Sequence, residues 1–152
     1  METHFENIKD IVLKEIDSAE FFIYAAVAWI TDYDIIDKLI AKIKDGVQVE
    51  LIINDDDRFE KRKTQFDSFR QAVGNLFLYK NDTQGLMHHK FCVIDFTTTL
   101  TGSYNWSHFA ATKHKENIVI ARDDIKFSKE FAQEFKKIKK QSILYAGKRT
   151  HY

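Results

Sequence analysis

Met87-His88-His89-Lys90-Phe91-Cys92-Val93-Ile94-Asp95-Phe96-Thr97-Thr98-Thr99-Leu100-Thr101-Gly102-Ser103-Tyr104-Asn105 reads as two strands folded back on each other. Met87 to Ile94 and Leu100 to Tyr104 carry the apolar and β-branched residues of strands, and Phe96 to Thr99 can turn the chain. Side chains of a strand alternate between faces, so His88 and Lys90 project together while His89 points away. Cys92 shares their parity and reads as core, whereas Asp95 falls on the opposite parity and reads as structural. A hairpin about the turn sets Ser103 and Asn105 roughly across from Lys90 and His88, so an imidazole, an ammonium, a hydroxyl and an amide share one surface. Gly102 allows close backbone approach beside them, and Glu116 opens the next strand.

Toward the N-terminus the chain alternates between helical and extended patterns. Phe5, Ile8, Ile11, Val12, Leu13 and Ile16 recur as on an amphipathic helix over residues 5–16. Phe21 to Ala28 is a continuous apolar run, as expected of a strand covered on both faces. Thr31 reads as the N-cap of a helix carrying Ile35, Ile36, Leu39, Ile40 and Ile43, with Asp32 and Asp34 favouring its first turn and Gly46 ending it. Val47 to Ile53 reads as a strand, and a charged helix is expected over about 57–73. On the C-terminal side, Leu76 to Tyr79 and Asn117 to Ala121 read as strands, and a last helix as about 124–140. Helices and strands alternate first and strands follow one another later, which predicts an α/β fold with parallel crossovers and then hairpins. The length, 152 residues with 44% hydrophobic, suits one domain over 1–152.

Composition narrows the functional classes. Lys plus Arg and Asp plus Glu both number 23, so a nucleic-acid site must be a local patch rather than a global field. A lone cysteine, Cys92, excludes a disulfide framework and a Cys-x-x-Cys metal site, and fits a reducing compartment. Residues 1–4 begin no basic segment followed by an apolar run, so a cytoplasmic protein without stable membrane association is expected.

Histidine, any residue, lysine, four residues, aspartate, six residues and then Gly-Ser-x-Asn is met by His88, Lys90, Asp95, Gly102, Ser103 and Asn105, with Glu116 in a Glu-Asn-Ile context eleven residues after Asn105. This pattern resembles the signature of the phospholipase D superfamily, including its short single-motif bacterial endonucleases and the mitochondrial cardiolipin hydrolases. The resemblance implies a mixed parallel and antiparallel β-sheet flanked by α-helices on both faces. It also implies a two-step displacement at phosphorus without a metal or other cofactor. His88 is then the nucleophile that forms a phosphohistidine. Lys90, Ser103 and Asn105 hold the non-bridging oxygens and offset the growing charge. Glu116 orients an imidazole, and Asp95 and Gly102 are structural members of the motif. A second imidazole must protonate the leaving oxygen. His4, His89, His108, His114 and His151 are not followed two residues later by lysine, so the resemblance implies a homodimer in which His88 of each protomer meets at a shared active site.

Simpler readings cover the remaining signals. His108 and His114 could join Glu116 at a metal, although nothing in the sequence fixes their geometry. Trp106 reads as a buried aromatic, and the lysines at 136, 137, 139 and 140, like Lys61, Arg62 and Lys63, read as solvated helix faces unless they bind a phosphate backbone. The expected substrate is DNA, with RNA next, cleaved by a nonspecific endonuclease. A phospholipase acting on lipid and a nucleic-acid-binding module without turnover are the alternatives.

Overall fold

In a computed structural model that describes residues 1–81 and 85–147, one eight-stranded sheet organises the chain. The elements are β1 (Glu2–His4), α1 (Ile8–Asp17), β2 (Phe22–Val27), α2 (Tyr33–Lys44), β3 (Gln48–Asn54), α3 (Asp57–Glu60), α4 (Lys63–Gln71), β4 (Asn75–Tyr79), β5 (Lys90–Ile94), β6 (Thr98–Gly102), α5 (His108–Thr112), β7 (Ile118–Ala121), α6 (Ile125–Lys140) and β8 (Ser142–Leu144). The strand order is β1-β7-β6-β5-β2-β3-β4-β8. β2, β3 and β4 are parallel, and all other pairings are antiparallel. The expected sequence of crossovers followed by hairpins is therefore present, as is the mixed sheet with helices on both faces.

Alternation along the central strands builds two cores. Ile23, Ala25, Val27, Val49, Leu51, Ile53, Cys92 and Ile94 join α1, α2 and α4 in one buried cluster. Ala26, Ile52, Phe91 and Val93 join Phe135 and Ile138 of α6 in the other. Each fully buried large side chain of this kind contributes roughly 1.5–3 kcal/mol relative to exposure. In the run read as Phe21 to Ala28, β2 is central, between β3 and β5, and its residues from Ala25 to Ala28 are buried, Ala25 and Val27 in one core and Ala26 in the other, whereas Phe21 is exposed and Phe22 and Tyr24 are half-buried.

Several boundaries differ from the sequence reading for local reasons. Asp32, not Thr31, caps α2: its carboxylate accepts from Asp34 N at 2.9 Å and Ile35 N at 3.4 Å, while the Thr31 carbonyl accepts from Arg62 Nε at 2.8 Å. The expected charged helix is two helices, α3 and α4, the first capped by Asp56 and the break falling at Lys61 and Arg62, where Arg62 leaves helical backbone geometry. The first helix begins at Ile8 rather than residue 5, since Glu2–His4 pairs with β7 as an edge strand. β8 and α5 are elements that periodicity did not mark, being three and five residues long.

The hairpin turns earlier than expected. Thr97 N donates to Ile94 O at 3.1 Å, and Asp95 and Phe96 between them take φ 54° and 56°. Two successive left-handed residues match the right-handed twist of the flanking strands. Asp95 holds this turn: its carboxylate accepts from Glu20 N at 2.9 Å, Phe21 N at 2.8 Å and Phe22 N at 2.9 Å. It thereby ties the turn to the start of β2. The Phe96 ring closes the turn by packing 4.1 Å from the Phe22 ring.

Candidate active site

At the opposite end of β5 from Asp95, four chain segments converge. The segment after β2 carries Trp29, the loop before β5 carries His88, β6 runs on into Ser103 and Asn105, and the approach to β7 carries Glu116. This is the end where the parallel strands β2 and β3 finish, the place where open α/β sheets build their sites. Val27 stands opposite Lys90, and Ala28 N donates to His89 O at 2.8 Å, which fixes the loop leading into β5. Asn54, at the end of β3 and 1% exposed, donates through Nδ2 to Ala28 O at 3.1 Å and Met87 O at 2.8 Å. One buried amide thus locks the backbone immediately before His88.

β5 begins at Lys90 rather than Met87, so His88 sits just off the ladder and its ring is exposed. Lys90 Nζ lies 2.9 Å from His88 Nε2 and also donates to the His88 carbonyl at 2.9 Å. An ammonium has no acceptor capacity, so this contact suits the imidazole tautomer whose Nε2 accepts and whose Nδ1 carries the proton. Trp29 supports the imidazole edge-on, with ring centroids 5.9 Å apart. Burial holds the Lys90 ammonium below its ordinary pKa, and the charge of Glu116 opposes that shift. His89 faces the other way, 3.8 Å from Glu134 on α6.

The hairpin register pairs Cys92 with Leu100, and continuing it sets Lys90 against Gly102, one residue short of Ser103. Gly102 is required there: a Cβ would meet the Asn117 carbonyl and stand 2.9 Å from Ile118 Cα. Ser103 is held by both strands, its N–H donating to Asn117 O at 3.1 Å and its Oγ accepting from Asn117 N at 3.0 Å. The Ser103 hydroxyl donates to Glu116 Oε2. The other Glu116 oxygen, Oε1, is 3.6 Å from His114 Nδ1 of the same chain. Asn105 has a buried Oδ1 without a hydrogen-bond partner among the described residues. His88, Lys90, Ser103, Asn105 and Glu116 therefore lie at one end of the sheet, and Asp95 lies apart from them.

Other residues singled out in the sequence go to structure. Trp106 is buried, and its carbonyl accepts from Thr31 N and Asp32 N at 2.8 and 2.9 Å. Cys92 is buried beneath Lys90 with its thiol pKa pushed up by desolvation. Lys139 pairs with Glu50 at 2.8 and 2.9 Å. Among the described residues no three His, Cys, Asp or Glu side chains are grouped to hold a metal, so His108, His114 and Glu116 do not form that cluster. Likewise no helix of the described residues is long and apolar enough to cross a membrane. His151 lies outside the described residues.

Sequence reasoning did not find Asn54 or Trp29 as site residues. Asn54 follows the strand read over Val47 to Ile53 without belonging to any motif, and Trp29 carries no pattern that separates a wall of the site from core.

Relatives with known names share this frame. The mitochondrial cardiolipin hydrolase of Chlamydomonas reinhardtii is 37% identical over 109 residues, covering 72% of this chain and 47% of that protein. The human protein of the same name is 32% identical over 96 residues, covering 63% and 36%. The chain thus spans less than half the length of these relatives. The crystal structure of a phospholipase D family member, Nuc from Salmonella typhimurium, superposes with a TM-score of 0.82 at 26% identity, covering 95% of this chain and 96% of that one. NucT from Helicobacter pylori shares the fold at a TM-score of 0.82 and 18% identity, covering 95% and 98%. Residues 12–139 match the family model described as "Cardiolipin synthase, PLD-like domain", and the chain belongs to this PLD-like family of the phospholipase D superfamily.

Proposed function

We propose that this protein is a metal-independent phosphodiesterase whose substrate is nucleic acid, most readily DNA, and that it works as a homodimer with His88 of both protomers at one site. The observation that carries the reading is the 2.9 Å contact between Lys90 Nζ and His88 Nε2 at an exposed end of the sheet. It holds an unprotonated imidazole nitrogen beside a cation, as attack on an anionic phosphodiester requires. An arriving phosphate oxygen takes the ammonium and frees the Nε2 lone pair. The N–P bond forms as the P–O bond to the leaving group breaks, and the partner's imidazole gives the leaving oxygen its proton. That imidazole then takes a proton from water as the water oxygen attacks phosphorus, the N–P bond breaks, and a phosphomonoester leaves with His88 restored.

Lys90, Ser103 and Asn105 offset charge on the non-bridging oxygens in this scheme. Glu116 receives the Ser103 hydroxyl and aims it, and its second oxygen is available to an imidazole N–H. His88 is exposed and the motif occurs once, which supports supply of the second imidazole by another copy.

The test is incubation in excess chelator with single-stranded DNA, duplex DNA, RNA and cardiolipin vesicles, beside His88→Ala. Cleavage of nucleic acid that disappears in the variant is expected. Persistent cleavage in His88→Ala would remove the nucleophile. A second reading, hydrolysis of a lipid phosphodiester, is favoured by the names of the algal and human relatives, and the vesicle arm decides it. A solution mass of one chain, with activity linear in protein, would contradict the shared site.

A further inference from the structure

A cleft of about 550 Å³ opens beside His88, with Trp29 forming the wall between them. Its lining includes Arg58, Lys61 and Arg62, from α3 and the break after it, and His108 and Phe109 of α5. No carboxylate is among the lining residues. Elsewhere in this chain of 23 acids and 23 bases, carboxylates match Lys9 (Asp32 and Asp34), Lys38 (Asp17), Lys63 (Glu60), Lys139 (Glu50) and Arg122 (Glu15).

The three cleft cations lack such a match, and two of them are held by other contacts. Arg58 lies over the Trp29 ring at 4.0 Å. Arg62 donates to the Thr31 carbonyl and lies over Tyr33 at 4.3 Å. Lys61 is exposed and has no ion-pair partner among the described residues. Of the neighbouring acids, Asp56 accepts from the Trp29 indole N–H at 2.7 Å and from the first amides of α3, and Glu60 pairs with Lys63. Positive charge without a salt-bridge partner therefore lines one wall, and Arg58 covers the same Trp29 ring that stands 5.9 Å from the ring of the proposed nucleophile.

We infer that this cleft binds the phosphate next to the scissile one in a polynucleotide strand, with Arg58 and Lys61 as its principal contacts; the inference rests on the nuclease reading above. The volume is within the range of small-ligand sites, room for about one nucleotide. Flat rings among the cations, Phe109 being 66% exposed, suit a base beside its phosphate. A substrate with only one phosphodiester would leave the cleft unused, so the site selects polymers over minimal diesters.

The experiment measures binding of a fluorescein-labelled oligothymidylate by anisotropy across salt concentrations, in a His88→Ala background so that nothing is cleaved. Lys61→Glu, which disturbs no intramolecular pair, and Arg58→Ala with Lys61→Ala are compared with Lys126→Ala, an exposed lysine on α6 at the other face of the sheet. Affinity about tenfold weaker in the cleft variants, with the log–log salt slope reduced by roughly 1, is expected, and no change in Lys126→Ala. With His88 intact, the cleft variants should lose at least tenfold more kcat/KM on the oligonucleotide than on bis-p-nitrophenyl phosphate. Unchanged affinity and slope would overturn the inference, as would equal losses on both substrates, or a loss confined to cardiolipin vesicles. Failure of the wild-type protein to cleave the oligonucleotide, with Lys61-dependent binding intact, would instead refute the nuclease reading and leave the cleft assignment standing.

Discussion

Asp95 belongs to the sequence motif yet sits at the turn end of β5, five residues along the strand from Lys90 and so about 16 Å from it at ~3.3 Å per residue. Replacing it should therefore damage stability and spare chemistry. Its carboxylate accepts three backbone N–H groups at 2.8–2.9 Å while its own backbone is left-handed at φ 54°. Charge-assisted bonds contribute about 1.5–3 kcal/mol when buried, and two of these three are exposed, so ~1 kcal/mol each is the reasonable share. Alanine also lacks the short polar side chain whose local hydrogen bonds let aspartate tolerate a left-handed backbone, at roughly 1 kcal/mol. Asp95→Ala should then cost about 4 kcal/mol. Asp95→Asn retains one acceptor oxygen and the tolerance for positive φ, and should cost ~1.5 kcal/mol. For a chain of this length these correspond to about 12 °C and ~5 °C in Tm by calorimetry, at roughly 3 °C per kcal/mol. The kcat of the folded fraction should stay within about threefold of wild type. An Asp95→Ala protein melting within ~3 °C of wild type, or an Asp95→Asn protein that melts normally but loses its activity, would refute the assignment.

Gly102→Ala must push β6 from β7, because its Cβ meets only backbone atoms; a stability loss of about 1–3 kcal/mol in urea titration, with loss of activity as Ser103 and Glu116 separate, is expected. The alkaline limb of the rate profile should fall below pH 10.5, since burial depresses Lys90 and its proton is needed to hold the phosphate. Glu116 raises that value, so Glu116→Gln should move the limb lower still, apart from any loss in kcat. Over the same window the unfolded chain binds the proton that the folded one has lost, so the Lys90 contribution to stability increases with pH, which denaturation of wild type beside Lys90→Met would reveal. Cys92, buried and with a raised pKa, should resist an aromatic disulfide reagent in native protein and react at once in denaturant.

How much of this was legible depended on the scale of the determining interactions. The apolar run of β2 and the periodicity of α2 and α6 announce themselves because burial acts on every residue of a long element. β1, β8 and α5 do not, since three to five residues carry too little period and owe their form to pairing or to a single cap, Ser107 on Ala110 N for α5. The division between α3 and α4 depends on Arg62 reaching the Thr31 carbonyl, a contact between segments distant in sequence. In the candidate site, strand parity separated His88 and Lys90 from His89, and Gly102 marked the close approach of β7. The left-handed pair Asp95–Phe96 moved the turn and the register by one residue, because the aspartate's three amide partners, Glu20, Phe21 and Phe22, are not neighbours in sequence. Two of the cleft cations, Lys61 and Arg62, were visible in a short basic run at 61–63, but Arg58 was not, and their lack of carboxylate partners emerges only in three dimensions.

Covalent capture addresses the central chemistry most directly. Labelled oligonucleotide mixed with enzyme in excess chelator and quenched in base, where phosphoramidates survive, should yield one nucleotide-bearing peptide containing His88, its modification carried on a ring nitrogen. An adduct on another residue, or turnover with no adduct at any quench time, would contradict attack by His88.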